Sequence, residues 1–233
     1  MFQLFFFPRQ FFEQKLQRSV ALRWVVILIV GVAALSCLNI VIVYRQFLLF
    51  VQQFITTNAA ASLQEKAIWL DGLHFVGPIN FVVAGLVSLF DLVYWVLITA
   101  MLAHFGVIFD RPYQFNNLLR MTGLAYAVYF PFLVVSLLLL LIFPLNLSAQ
   151  GFSQLANLNS LTTIYGAAIR TTNGVFPVNV VIGLQMAAKV WCHLLFLIAY
   201  QRVVGLRWWQ AIVGTALSAG LLNLGSLLLI RLS

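Results

Sequence analysis

Acidic residues are scarce in this sequence: Asp and Glu together number five in 233 residues, and charged types make up 8%. A soluble domain carries roughly 25% charged residues. So little charge cannot solvate a protein surface, which excludes a soluble monomer, and the length leaves no room for a sizeable second domain. Cysteine is scarcer still. Cys37 and Cys192 both fall inside long apolar runs, so no disulfide framework is readable and inert, buried thiols are expected. Histidine is limited to His74, His104 and His193. Their spacing offers no ligand cluster, and neither a metal nor another cofactor is expected. Also missing are a His-Glu-x-x-His helix, a Gly-x-Ser-x-Gly elbow and a phosphate-cradling Gly-x-x-x-x-Gly-Lys run. The expectation is a protein that is not an enzyme.

What fills the sequence instead is apolar: 63% of the residues are hydrophobic. A helix crosses the hydrocarbon with about 20 such residues. Five stretches qualify, at about 24–43, 75–103, 118–143, 176–200 and 209–230. The fold class expected is all-α, a polytopic bundle of five transmembrane helices over residues 24–233. The runs are continuous rather than alternating, which excludes a β-barrel. Phe47–Ile55 is apolar but short and holds Gln52 and Gln53. It reads either as an extension of the first span or as a helix lying in the interface.

Lys and Arg set the orientation. With the N-terminus cytoplasmic, eight of them (Arg9, Lys15, Arg18, Arg23, Arg111, Arg120, Arg202 and Arg207) lie inside. Four (Arg45, Lys66, Arg170 and Arg231) lie outside. The bias predicts N-inside and C-outside, with anionic headgroups as partners. The charges do not gather on one solvated face, so no nucleic-acid partner is expected. Residues 1–23 read as an interfacial amphipathic lead-in rather than a signal peptide, because Pro8 and Arg9 end the short apolar start. Its phenylalanines, Phe11 and Phe12 among them, are expected to dip into the headgroup boundary. The two connections on the inner side are short, whereas Tyr44–His74 and Pro144–Val175 are long. Pro144–Val175 is rich in Ser, Asn, Thr and Gln and contains Asn146-Leu147-Ser148, which fits the glycosylation pattern.

Two charges stand deep in the spans. Asp91 lies twelve residues before Ala103, and Lys189 eleven residues before Tyr200. At ~1.5 Å per residue both sit about 16–18 Å from the inner boundary. A charge at the bilayer centre costs roughly 2.5–3.5 kcal/mol and usually faces the bundle interior and pairs. An intramembrane ion pair between Asp91 and Lys189 is therefore predicted. Helical spacing adds Asn80, Ser88 and Tyr94 on the face of Asp91, and Gln185 and His193 on that of Lys189. Pro131, at similar depth, is expected to kink the third span and free the carbonyl of Ala127 for a lysine or tyrosine. Together these residues predict a polar cluster near the midplane, either a register-fixing device or a substrate or proton path. Close helix packing is expected at Ala211, Thr215, Ala219 and Asn223, beside Gly214 and Ser218, and more weakly around Gly31. Trp208 and Trp209 read as an aromatic belt.

Three segments resemble the YIP family, the Ypt-interacting five-span membrane proteins, and in particular its short prokaryotic members. "FFFPRQFFEQKLQRSVALRW" resembles the family's Pro-x-x-Phe-Phe start, here Pro8, Phe11 and Phe12. "GLAYAVYFPFLVVSLLLLL" resembles its third span, with Tyr126 five residues before Pro131. "YQRVVGLRWWQAIVGTAL" resembles its turn from fourth to fifth span, with Gly205. The resemblance implies a five-span protein of a prokaryotic cell membrane that organises membrane or protein traffic through interactions in the bilayer. Its partners would be a membrane protein or further copies of itself. Eukaryotic members associate with Rab-type GTPases and have a long cytosolic N-terminal region; the short lead-in here argues against GTPase binding. The other reading is a small permease or channel subunit using the midplane cluster. Asp91 and Lys189 match no pattern of the family.

Overall fold

The computed structural model describes residues 2–17, 20–57, 61–143, 166, 172 and 174–232, with the side chains at 2, 17, 77, 91 and 223–232 outside that description. Among the described residues every regular element is helical. In order these are Phe2–Phe6 (α1), Pro8–Gln17 (α2), Leu22–Thr57 (α3), Leu63–Ile108 (α4), Phe115–Tyr126 (α5), Tyr129–Ile142 (α6), Val178–Val204 (α7) and Trp208–Leu232 (α8). Leu22–Thr57, Leu63–Ile108, the α5–α6 stretch Phe115–Ile142 and Val178–Val204 are long and apolar enough to cross a membrane. Apart from Gly166 and Thr172, residues 144–173 lie outside the described residues, and Asn146 with them.

The helices differ from the expected spans in their ends. Helix α3 runs on through Phe47–Ile55 to Thr57. The reason is readable in the spacing: Phe47, Phe50, Val51, Phe54 and Ile55 recur at helical period and are buried, while Gln52 and Gln53 are exposed. The stretch therefore extends α3. Helix α4 begins well before Phe75, on a capping box. Glu65 accepts the Ser62 backbone N–H and hydroxyl, both at 2.8 Å, and the Glu65 N–H reaches Ser62 Oγ at 3.2 Å. These bonds hold the exposed Glu65 carboxyl below its ordinary range, the backbone bond from Ser62 contributing most. The third span is broken at the turn of Ala127 and Val128, with Pro131 three residues beyond Val128. The Ala127 carbonyl, however, is taken by the Phe130 N–H at 3.3 Å, not by a lysine or tyrosine.

The chain forms two compact units. Unit 1 comprises residues 1–34, 89–131 and 187–233; unit 2 comprises 35–88 and 132–186. In lipid the hydrophobic effect does not press helices together, so close packing and hydrogen bonds must. Unit 1 uses both. A Cβ at Gly123 of α5 would overlap Val25 Cγ1 and lie 3.0 Å from Trp95 Cζ2 and 3.2 Å from Ile29 Cδ1. Backbone of α5 therefore abuts side chains of α3 and α4. Beside it, Trp95 Nε1–H donates to Thr122 Oγ1 at 3.1 Å, and Thr122 meets Thr99 Oγ1 at 2.8 Å, all three residues being buried. Farther along, Tyr200 is fully buried, and a Cβ at Gly214 of α8 would come within 2.6 Å of its ring. Of the predicted small-residue positions on α8, Ala211, Gly214, Thr215 and Ser218 are buried and Ala219 is half-buried, while the side chain of Asn223 lies outside the described residues. Gly31 is not such a site: none of the described residues lies within 4 Å of a Cβ there.

Unit 2 is tied by two amides of α3 reaching α6. Asn39 Nδ2 donates to the Leu133 carbonyl at 3.2 Å, and Gln46 Nε2 to that of Leu140 at 2.8 Å. Leu140 packs with Val178 and Val181 of α7, flanked by Ile42 and Val43.

Candidate functional site

The predicted midplane cluster divides between the units. Tyr94, Lys189, His193 and Pro131 belong to unit 1; Asn80, Ser88 and Gln185 belong to unit 2. Within unit 1 two of the predicted residues meet. Tyr94 Oη lies 2.9 Å from His193 Nε2, and His193 Nδ1 lies 2.7 Å from the carbonyl of Lys189. A carbonyl can only accept, so Nδ1 carries a proton, and Nε2 shares a hydrogen bond with the tyrosine hydroxyl. The ring is supported edge-on by Phe196 at 5.6 Å, which in turn packs on Tyr126 at 5.6 Å. Tyr126 stacks on Tyr129 at 5.6 Å. This cluster joins α4, α5, α6 and α7.

The Tyr94–His193 contact also fixes helix register. Twelve residues on, a Cβ at Gly106 would touch Val204 Cγ1 at 3.2 Å, eleven residues beyond His193. Both contacts advance in the same direction, so α4 and α7 run parallel. Position 91 of α4 therefore stands level with Lys189 of α7. The side chain of Asp91, and with it the predicted ion pair, lies outside the described residues. Lys189 itself is exposed on α7, which corrects the expectation that it faces the bundle interior. The reason is angular: Ala188 and Cys192 carry the buried stripe of α7, and Lys189 is turned about 100° from Ala188.

The remaining predicted residues have other occupations. The Ser88 hydroxyl donates to the Ala84 carbonyl of its own helix at 2.9 Å. Asn80 is buried and lines a cavity of ≈330 Å³ with Tyr44, Arg45 and Gln52. Gln185 lines a second cavity, of ≈260 Å³, with Asn39 and Thr172. Sequence reasoning passed over Asn39, Thr99 and Thr122, although each is a polar residue inside an apolar run and Asn39 had its signal in the first span.

Among the positions that carry the family resemblance, Gly205 makes the turn from α7 into α8. Gly205 adopts φ +70, and its N–H and that of Leu206 both return to the Gln201 carbonyl, at 3.0 and 3.2 Å. A left-handed residue closes a helix this way, and only glycine does so without steric cost. Helix α8 then starts at once, with the Gln210 side chain accepting the Arg207 N–H at 3.0 Å. Pro8 opens α2, where its missing N–H leaves no bond unmade. Leu4, Phe11 and Phe12 are buried within the protein, which corrects the expectation that Phe11 and Phe12 dip into headgroups; Phe6 and Phe7 are exposed. Helix α2 packs on α5. Glu13 pairs with Arg202 at 2.9 Å, the ion pair formed among the described residues, and Arg9 stands 4.5 Å over the Trp208 ring. Edge-on contact of Phe109 with Trp209 at 5.8 Å brings the α4–α5 turn to the same place. The lead-in thus meets the α7–α8 turn through one ion pair and one cation–π contact, while α2 packs on α5. Exposed ion pairs contribute roughly 0–1 kcal/mol and cation–π contacts about 0.5–1.

No group of three or more metal-ligating side chains is present among the described residues. Cys37, half-buried, and Cys192, buried, are not joined in a disulfide. A family model described as the Yip1 domain matches residues 2–230. Neither a curated protein nor a solved structure matches the chain.

Proposed function

Because the chain belongs to the Yip1 domain family, we propose that this integral membrane protein is a non-enzymatic, five-span organiser of membrane or protein traffic. It lies in a prokaryotic cell membrane, with the N-terminus on the cytoplasmic face. It acts by binding another membrane protein, or further copies of itself, with the lipid around it. The observation that carries this reading is the fastened lead-in. A short helix held on the α7–α8 turn by Glu13–Arg202 and Arg9–Trp208 makes a fixed cytoplasmic face for a partner. Its chemistry is that of adhesion: the polar contacts across helices, such as Asn39 on the Leu133 carbonyl and Trp95 on Thr122, hold helices together.

The test is affinity purification of the full chain from native membranes in mild detergent, beside Glu13→Arg and the charge-swapped E13R/R202E. The expected result is a membrane-protein partner held in stoichiometric amount, reduced in E13R and restored in the swap. A chain that purifies alone in all three forms and moves solute across proteoliposomes would overturn the proposal in favour of a permease.

A further inference from the structure

Within unit 2, the ≈260 Å³ cavity holds a mismatch between its walls and its polar groups. Apolar side chains, Val43, Phe47, Val178, Val181 and Ile182 among them, make most of the wall. Into this wall are set Asn39, 1% exposed, and Thr172, 2% exposed. Asn39 Oδ1 and Thr172 Oγ1 have no hydrogen-bond partner among the described residues. Burying such an atom unpaired costs about 1–3 kcal/mol, so each position calls for a partner that the described residues do not supply. Gln185 adds a third amide to the lining.

Depth is consistent along both helices. Asn39 stands fifteen residues along α3 from Trp24, and Gln185 fifteen residues before Tyr200 on α7. At ~1.5 Å per residue both lie about 22 Å into a hydrocarbon layer ~30 Å thick. The polar groups therefore sit roughly 8 Å below the far headgroups. Among the described residues no charged side chain lines the cavity, so a charged group would find no counter-ion among them, which is strongly disfavoured at that depth. Its volume falls below the ~300–1,000 Å³ of pockets that enclose a whole drug-sized ligand. It suits a head group and little more. Ile182, on the lining, is 38% exposed, so the cavity reaches the side of the helices, where an alkyl chain can leave into lipid.

We propose that this cavity binds a neutral, hydroxyl-bearing amphiphile. Its hydroxyls donate to Asn39 Oδ1 and pair with Thr172 Oγ1, and its single alkyl chain exits past Ile182. This site is independent of the traffic reading, because it shares no residue with the lead-in or the α7–α8 turn.

Equilibrium binding of labelled monolaurin to the full chain in phosphatidylcholine nanodiscs tests it, with laurate as the charged comparison. Thr172→Val removes the hydroxyl and keeps the shape; Ile182→Trp blocks the exit from an exposed position. The wild type is expected to show a saturable component above partitioning into lipid. In T172V its affinity falls about fivefold, the loss of one hydrogen bond, and in I182W the component disappears. Laurate binds more weakly than monolaurin. The proposal is overturned if no saturable component exists in the wild type, which would mean a cavity filled by water alone. It is also overturned if T172V and I182W bind as the wild type does, or if laurate binds as well as monolaurin.

Discussion

Gly123 is the sharpest point of contact among α3, α4 and α5, and its replacement by alanine has a calculable outcome. In an open helical position this change stabilises by roughly 0.5–1 kcal/mol, because alanine loses less backbone entropy. At Gly123 the new methyl overlaps Val25 Cγ1 and presses on Trp95 and Ile29. Overpacking a filled site costs typically 1–3 kcal/mol. The cost wins, leaving a net loss of about 1–2 kcal/mol. Trp95 cannot yield cheaply, since its ring nitrogen is tied to Thr122. Val25→Ala removes the methyl in conflict, so V25A/G123A should be at least ~1 kcal/mol more stable than the two separate losses imply. Gly31→Ala and Gly85→Ala, where a methyl meets open space, should be neutral or slightly stabilising. Reversible unfolding in detergent measures all five variants. If G123A matches G31A, or adds simply to V25A, α5 does not abut α3 at this residue and the packing account of unit 1 is wrong.

Three further outcomes follow from the same geometry. The parallel register of α4 and α7 sets position 91 level with Lys189, so Asp91→Asn and Lys189→Met should couple by about 0.5–2 kcal/mol, the scale of polar contacts between membrane helices; strict additivity in a double-mutant cycle would remove the ion pair. Asp110, at φ 58, closes α4 with its N–H on the Val107 carbonyl at 3.0 Å and that of Arg111 on the Gly106 carbonyl at 3.0 Å. Asp110→Gly should therefore stabilise by up to about 1 kcal/mol and Asp110→Val should destabilise, as a thermal melt would register. The Glu65 carboxyl titrates lower when folded than when unfolded, so its support for the start of α4 is complete above its unfolded pKa. That support is lost as pH falls through the lower, folded value. Amide exchange at Lys66 should accelerate across that window in the wild type and show no such step in Glu65→Gln.

Much of the fold is written in the apolar runs, because length against bilayer thickness is a strong constraint. The ends were less legible. Phe47–Ile55 was ambiguous by composition, and only its buried stripe decides for a continuous α3. The break before Pro131 and the left-handed Gly205 follow from local chemistry and were readable. Facing was not: whether Lys189 points in or out depends on which side α7 turns to its neighbours, and a helix apolar on all sides carries little sign of that. The Trp95–Thr122–Thr99 bonds went unseen because a threonine hydroxyl can satisfy itself on its own helix, as Thr99 does on the Trp95 carbonyl at 2.7 Å. Glu13 and Arg202 meet across almost the whole chain, and no spacing rule links them.

Topology decides the central claim most directly, since a fastened lead-in requires Glu13 and Arg202 on one side of the membrane. Single cysteines at Gln14, Arg111, Ala61 and Gly174, in a chain with Cys37 and Cys192 replaced by alanine, can be labelled in intact cells with a membrane-impermeant maleimide. The expected result is labelling of Ala61→Cys and Gly174→Cys, with Gln14→Cys and Arg111→Cys protected until the membrane is opened. If Gln14→Cys and Arg111→Cys fall on opposite sides, the lead-in cannot rest on the α7–α8 turn, and the five-span, N-inside account fails with it.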